Sequence, residues 1–250
     1  MKVLLLTLLA IGGALAGVER NPTLRIAEDN IKAFFDCLRE IGYTGNEENA
    51  IPVMDPLYVE EAFSDLAVDV GTQGLSGTAR VLEVAIVGIL GFEYAALSGT
   101  IGILPLRYIL DATLRFPRLQ TSIGTYDVNI VFEPTNTNLY GEGTIAFDAT
   151  DLYVRIQMTV RILTGAAFEG ISVLPSLYGM NSFIITGLYN DEEYSQQVSD
   201  NFLNDPYNAM ANIAGTIDTA LSSIMTELLN SEDLDLSGDS DSLIMQCAFP

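Results

Sequence analysis

The stretch from Leu152 to Ile162 alternates between apolar and polar residues at every position. Side chains on a strand point to opposite faces in turn, so the pattern predicts a long antiparallel strand with one face in an apolar interior and one in water. Its 11 residues would span roughly 36 Å at about 3.3 Å each, which is well beyond an ordinary strand. Such a strand needs an equally long apolar partner.

A long apolar helix near the C-terminus is the predicted partner. We expect Asp205 to cap its start and Pro206 to occupy its first position. Asp218 falls outside the apolar stripe of this helix and is expected to face water. The stripe repeats at intervals of three and four residues over about five turns and comprises Met210, Ile213, Ala214, Ile217, Leu221, Ile224, Met225 and Leu228.

The remaining elements are predicted from shorter patterns. An amphipathic helix is expected over Ile26–Ile41, with Gly42 as its stop. A further helix is expected over Asp191–Leu203, just before the long one. From Leu66 to Leu188, alternating runs separated by Gly, Pro, Asn and Asp predict an antiparallel meander rather than β-α-β units.

The first 16 residues have the pattern of a secretory signal peptide. Lys2 is followed by an apolar run over Val3–Ile11 and by Ala14-Leu15-Ala16, a small-x-small cleavage site. The alternative is a membrane anchor, but the run is shorter than the roughly 20 residues that span a bilayer. We therefore expect secretion into the extracellular space, a single domain over residues 17–230 and an acidic tail over residues 231–250.

The formal net charge of −22 limits the partners of the chain. A surface of this sign repels nucleic acid and anionic membranes. We therefore expect no nucleic acid partner and no stable membrane insertion.

The chain has two cysteines, Cys37 and Cys247. An even count in a secreted protein predicts a disulfide within the chain, which would tie the C-terminal tail to the first helix. The alternatives are two unpaired thiols or pairing between chains.

Sequence motifs for catalysis are absent. The chain has no histidine, which removes histidine-based triads and most zinc sites. The segment from Asp233 to Gly238 resembles the start of a calcium loop, but Ile244 stands where the bidentate Glu is needed. We expect no catalytic residue, no metal and no cofactor.

Four motifs in order resemble the takeout and juvenile-hormone-binding proteins of arthropods over about residues 35–228. They are Ile51-Pro52-x-x-Asp55-Pro56-Leu57, Leu114-x-x-Pro117-x-Leu119 followed by Gly124-x-Tyr126, Tyr140-Gly141-Glu142-Gly143, and Val198-x-x-Asn201-Phe202-Leu203-Asn204. The chain departs from the family pattern in its cysteines, since only Cys37 lies near the N-terminus. A group 7 mite-allergen-like protein is the alternative relative.

The resemblance implies an α+β tubular lipid-binding fold, in which a highly curved antiparallel sheet wraps the long C-terminal helix. It also implies a secreted carrier that binds a terpenoid hormone, fatty acid or similar lipid in an internal apolar tunnel. The alternative is a surface-active or interaction protein with the same fold, and a receptor of unknown identity is left open. The residues expected to line the tunnel are Tyr108, Leu110, Leu114, Phe132, Ile156, Met158, Phe202, Met210, Ile213 and Ile217.

Overall fold

The computed structural model describes residues 24–45, 52–69, 75–103, 106–132, 137–161 and 167–230. The signal peptide, the acidic tail and Cys247 lie outside these ranges. The helices within them are α1 (Leu24–Thr44), α2 (Glu192–Asn204) and α3 (Pro206–Asn230), and the strands are β1 (Leu57–Asp69), β2 (Leu75–Val87), β3 (Glu93–Ile103), β4 (Leu106–Phe132), β5 (Thr137–Arg161) and β6 (Ala167–Ile185).

The strands form one curved antiparallel sheet in the order β1-β2-β4-β5-β6. Strand β4 is long enough to have two neighbours on one side: its first half pairs with β3 and its second half with β2. The α+β meander expected from the sequence is therefore confirmed.

Strands β4 and β5 are much longer than the sequence pattern indicated, with 27 and 25 residues. The expected strand from Leu152 is only the second half of β5. Strand β4 runs through Pro117, which stands between Arg115, the last residue paired with β3, and Gln120, the first residue paired with β2. No strand on that side needs the N–H group that proline lacks, so the strand continues.

Helix α1 ends later than expected. It continues to Thr44, and the N–H of Gly45, which has a φ of 72°, donates the helix-ending bond to the Ile41 carbonyl at 2.7 Å. Gly42 is therefore not the stop. A Cβ atom at Gly42 would lie 2.8 Å from a methyl group of Leu90, so this glycine permits close packing instead.

The Asp55 motif joins three parts of the chain. The two carboxylate oxygens of Asp55 accept hydrogen bonds from the backbone N–H groups of Gly88 at 2.8 Å and Leu90 at 3.1 Å. The N–H of Met54 donates to the Gly42 carbonyl at 2.8 Å. The motif thus fixes the β2–β3 turn against the end of α1.

Helices α2 and α3 begin as predicted and pack against β6. Asp191 caps α2 by accepting from the Tyr194 N–H at 3.0 Å. Asp205 caps α3 by accepting from the Asn208 N–H at 3.3 Å. None of the helices in the described ranges has the length and hydropathy that a membrane span requires.

Candidate functional site

One face of the sheet, called the inner face here, carries apolar side chains in register across three strands. Leu110, Met158 and Ile171 stand opposite one another on β4, β5 and β6 and are 0%, 1% and 5% exposed. The neighbouring row places Ala112 opposite Ile156, at 1% and 9% exposed. This set of five side chains, the aliphatic ladder, contains no aromatic ring and no polar group.

A second apolar group, the aromatic cluster, lies where α2 and α3 meet the inner face. The rings of Phe183 and Phe202 stack with their centroids 4.4 Å apart, and Phe147 stacks on Phe183 at 6.3 Å. Leu177 of β6 is fully buried among them, and Met210 of α3 packs against the same group. The interior therefore changes from aliphatic to aromatic along the strands.

The opposite face of β4 and β5 carries charge in cross-strand pairs. The Arg155 guanidinium donates to the Asp111 carboxylate at 3.0 Å and lowers the pKa of that carboxyl group. The Arg118 guanidinium does the same for Asp148, donating at 3.0 Å and 2.7 Å. The alternation read from the sequence thus separates an apolar face from a face of paired charges.

The two helices supply acceptors to the free side of β6. The N–H groups of Val173 and Ile185 donate to Asp218 Oδ1 at 2.7 Å and Ser199 Oγ at 3.2 Å. Just beyond the strand, the Leu188 N–H donates to Ser195 Oγ at 2.9 Å. An unpaired strand edge is prone to join other chains, and these side chains occupy it instead.

Asp218 corrects the expectation that this residue faces water. It is half-buried, and besides the Val173 N–H it accepts from the Ser222 hydroxyl at 3.1 Å. Residue periodicity placed it off the apolar stripe correctly. The strand edge beside the helix, however, is polar and attracts a carboxylate.

Tyr126 is a buried tyrosine of β4 that contacts the segment just after β6. Its ring is 4% exposed, and its hydroxyl donates to the Thr186 carbonyl at 2.5 Å. Burial first, and the negative charge of Glu192 second, raise the pKa of Tyr126. The phenol therefore stays neutral in the folded chain over a wider pH range than a free tyrosine.

The predicted lining residues fall into separate groups. Leu110, Ile156 and Met158 belong to the aliphatic ladder. Leu114 is also buried and lies on β4 two positions after Ala112 of the ladder. Their roles as ligand contacts stay predictions. Phe202 and Met210 belong to the aromatic cluster.

The helix α3 residues on the list differ in burial. Ile217 is half-buried, but Ile213 is 40% exposed. Helix α3 lies along β6 at the sheet margin, and the roles of Ile213 and Ile217 as lining residues stay predictions.

Tyr108 and Phe132 are placed by backbone register alone. Tyr108 pairs with Val160 near the start of β4, whereas Phe132 pairs with Thr137 at its end. Their side chains lie outside the described part of the chain. At about 3.3 Å per residue, the length of strand between them is greater than a small ligand.

Sequence reasoning missed the contribution of β6. Ile171 and Leu177 are 5% and 0% exposed on the inner face. The alternation from Ile171 to Leu177 was available as a signal, but Leu174 interrupts it with an apolar residue on the other face. Phe183 was missed for the same reason, since it lies in the run of apolar residues ending at Ile185.

The geometry offers binding surface rather than reactive groups. No cluster of three or more His, Cys, Asp or Glu side chains suited to a metal occurs within the described residues. The inner face can bury the apolar surface of another molecule away from water, and the outer face presents charged groups to water.

Comparison with known proteins identifies the family of this chain. Residues 9–232 match the family described as haemolymph juvenile hormone binding protein. No curated protein matches the chain. Among solved structures, Takeout 1 of Epiphyas postvittana is 15% identical with a TM-score of 0.41, and the alignment covers 80% of this chain and 90% of that chain. Because the family match spans most of the sequence, this chain belongs to the haemolymph juvenile hormone binding protein family.

Proposed function

We propose that this protein is a secreted carrier that holds a small lipophilic ligand, such as a terpenoid or a fatty acid, against the aliphatic ladder. The observation that carries the proposal is the register of Leu110, Met158 and Ile171 across three strands, all buried and all aliphatic. Burial of ligand surface there would contribute about 25 cal/mol per Å² before the costs of binding.

We further propose the role of the leader segment, the pairing of the cysteines and the extent of the domain. The first 16 residues act as a signal peptide, Cys37 and Cys247 form a disulfide, and residues 17–230 make up one lipid-binding domain. Membership of a ligand-binding family and the absence of catalytic motifs support a carrier rather than an enzyme.

A direct test is titration of the mature protein with a fluorescent fatty acid. We expect saturable binding with one ligand per chain, reversed by an unlabelled fatty acid. A signal that rises without saturation would favour the surface-active alternative, because interfaces and micelles take up probe without a fixed stoichiometry.

Two alanine-to-leucine variants make the titration specific to the inner face. Ala112 is buried in the aliphatic ladder, whereas Ala146 is exposed on β5. If a ligand occupies space beside the ladder, Ala112→Leu should fold normally and weaken binding about tenfold or more. Ala146→Leu should bind as the wild type does.

The same two variants show whether the interior is already filled by side chains. In a fully packed core, the extra carbons at Ala112 would cost about 1–3 kcal/mol of folding free energy. A large fall in thermal stability for Ala112→Leu, together with no saturable binding by the wild type, would contradict the carrier proposal.

A further inference from the structure

A depression of about 440 Å³ opens on the outer face of the sheet, away from the aliphatic ladder. It lies where the last part of β4 and the first part of β5 meet the turn that precedes α2. Its lining combines polar and apolar surface in similar amounts and consists of Asp127, Val128, Asn129, Asn138, Tyr140, Gly141, Glu142 and Asn190. The volume is within the range of small-molecule sites.

The strand register presents the polar side chains of this depression in rows. Asn129 stands opposite Tyr140, and Asp127 stands opposite Glu142. Like charges directly opposite one another are unfavourable in a sheet, so this second pair does not serve stability. Their position on the exposed face leaves both carboxylates accessible as hydrogen-bond acceptors.

Three asparagines supply further polar groups. Asn129, Asn138 and Asn190 are all exposed, and their side chains form no hydrogen bond to other parts of the chain that the structure describes. Each primary amide can donate two hydrogen bonds and accept others. The depression therefore offers both hydrogen-bond donors and acceptors.

An aromatic wall adjoins these groups. Tyr140 is 39% exposed, and the ring centroid of Tyr189 lies 5.1 Å from it in an edge-to-face arrangement. Tyr194 also contacts Tyr189 in an edge-to-face arrangement, with 5.3 Å between their ring centroids. The Tyr189 N–H also donates to the Tyr140 carbonyl at 2.8 Å, so both rings are fixed by backbone as well as by side-chain contacts.

The backbone at this wall is unusual. Tyr189 and Asn190 have φ values of 57° and 55°, a conformation that bulky residues such as tyrosine rarely adopt. Such conformations persist only where surrounding structure holds them, and they often occur at ligand sites. Here the conformation brings Asn190 to the depression and Tyr189 against Tyr140.

We propose that this depression binds a neutral oligosaccharide. The apolar face of a sugar ring can stack on Tyr140, while its hydroxyl groups donate to the carboxylates and exchange hydrogen bonds with the amides. The paired Asp127 and Glu142 would repel uronic or sulfated sugars. A carrier with an apolar interior would thereby have a second site for a surface glycan, independent of its lipid ligand.

The test is titration of the isotope-labelled mature protein with three probes, maltotetraose, cellotetraose and chitotetraose, monitored by amide NMR shifts. We expect at least one probe to cause saturable shifts centred on Asn129, Tyr140 and Asn190. Asn129→Ala, which leaves the tyrosine contacts intact, should weaken binding about tenfold, as loss of a hydrogen bond to a substrate group does.

Tyr140→Ala should abolish the shifts, whereas Tyr178→Ala should not. Tyr178 is an exposed tyrosine elsewhere on the sheet, 58% accessible, and serves as the matched control. Fatty acid binding should be unchanged in all three variants. No shift with any probe, or shifts caused by Ca²⁺ alone and absent with sugar in a chelator, would overturn the proposal.

Discussion

A single carboxylate on the long helix connects that helix to the sheet. Asp218 accepts the Val173 N–H at 2.7 Å, at the free edge of β6. Sequence periodicity can place a residue off an apolar stripe, but it cannot show that a polar strand edge lies beside the helix. Residues of this kind are found only when the tertiary arrangement is known.

We predict that Asp218→Ala destabilises the folded chain by about 1–3 kcal/mol, because the Val173 N–H loses its acceptor in a half-buried position. Asp218→Asn keeps one oxygen and should lose less. Urea denaturation measures both, with Asn212→Ala, an exposed change on the same helix, as the control. Equal stability of the Asp218→Ala and Asn212→Ala variants would show that the edge contact contributes nothing.

The raised pKa of Tyr126 gives a pH-dependent prediction. In the unfolded chain, this phenol ionises near its ordinary value of 10.0, whereas the folded chain keeps it protonated to higher pH. Its contribution to stability is therefore complete below pH 10 and is lost as pH rises through the folded pKa.

Tyr126→Phe should cost about 1 kcal/mol at neutral pH through loss of the bond to the Thr186 carbonyl. As pH rises above about 10, the variant should lose less stability than the wild type, since it lacks the ionising group. Denaturant midpoints at several pH values measure this. A difference between the two proteins that stays constant with pH would contradict the assignment.

At the scale of elements, the sequence predicted types better than lengths. Helix α3 was predicted from its cap Asp205 and its apolar stripe, and helix α2 from the apolar side formed by Tyr194, Val198 and Phe202. Strand β5 was underestimated because its alternation changes phase: Ala149 and Leu152 both pack in the aromatic cluster although they are three positions apart, which in a regular strand would put them on opposite faces. Asp151, with a φ of 52°, absorbs the extra residue, and no periodic pattern can anticipate that reset.

Pro117 conceals the length of β4 in the same way. A proline in an alternating pattern indicates the end of a strand. Here it occupies the gap between two neighbouring strands, and this gap is a property of the topology. The site residues of β6 were missed for a related reason, since apolar residues such as Ile184, 56% exposed, occur on its outer face too.

The closure of the β6 edge by helices leads to a prediction for hydrogen exchange. Ser199→Ala removes the acceptor of the Ile185 N–H. A loss of about 1 kcal/mol corresponds to roughly fivefold faster exchange of that amide. Ser182→Ala, an exposed serine on the same strand, should leave the exchange rate of Ile185 unchanged. If both variants exchange alike at Ile185, the helices do not protect this edge.

At the scale of the whole molecule, the two faces of the sheet have separate tasks. The inner face presents aliphatic and aromatic groups without charge, and the outer face places Arg155 and Arg118 against carboxylates. The large excess of acidic residues then favours solubility of a protein with an extensive apolar interior. A carrier requires both properties at once.

The central claim is that a lipophilic ligand reaches the inner face, and contact quenching of a single tryptophan tests it most directly. The natural chain has no tryptophan, so each introduced residue reports alone. Phe202→Trp places the reporter in the aromatic cluster, where the side chain is 6% exposed. Tyr207→Trp, at a site that is 49% exposed near the start of α3, is the control.

Both variants are titrated with a dibrominated fatty acid, whose bromine atoms quench indole fluorescence only at close range. The carrier account predicts saturable quenching of Phe202→Trp, reversed by an unbrominated fatty acid, and little quenching of Tyr207→Trp. Quenching of the exposed reporter alone, or equal unsaturated quenching of both, would show that the lipid stays outside and would contradict the account.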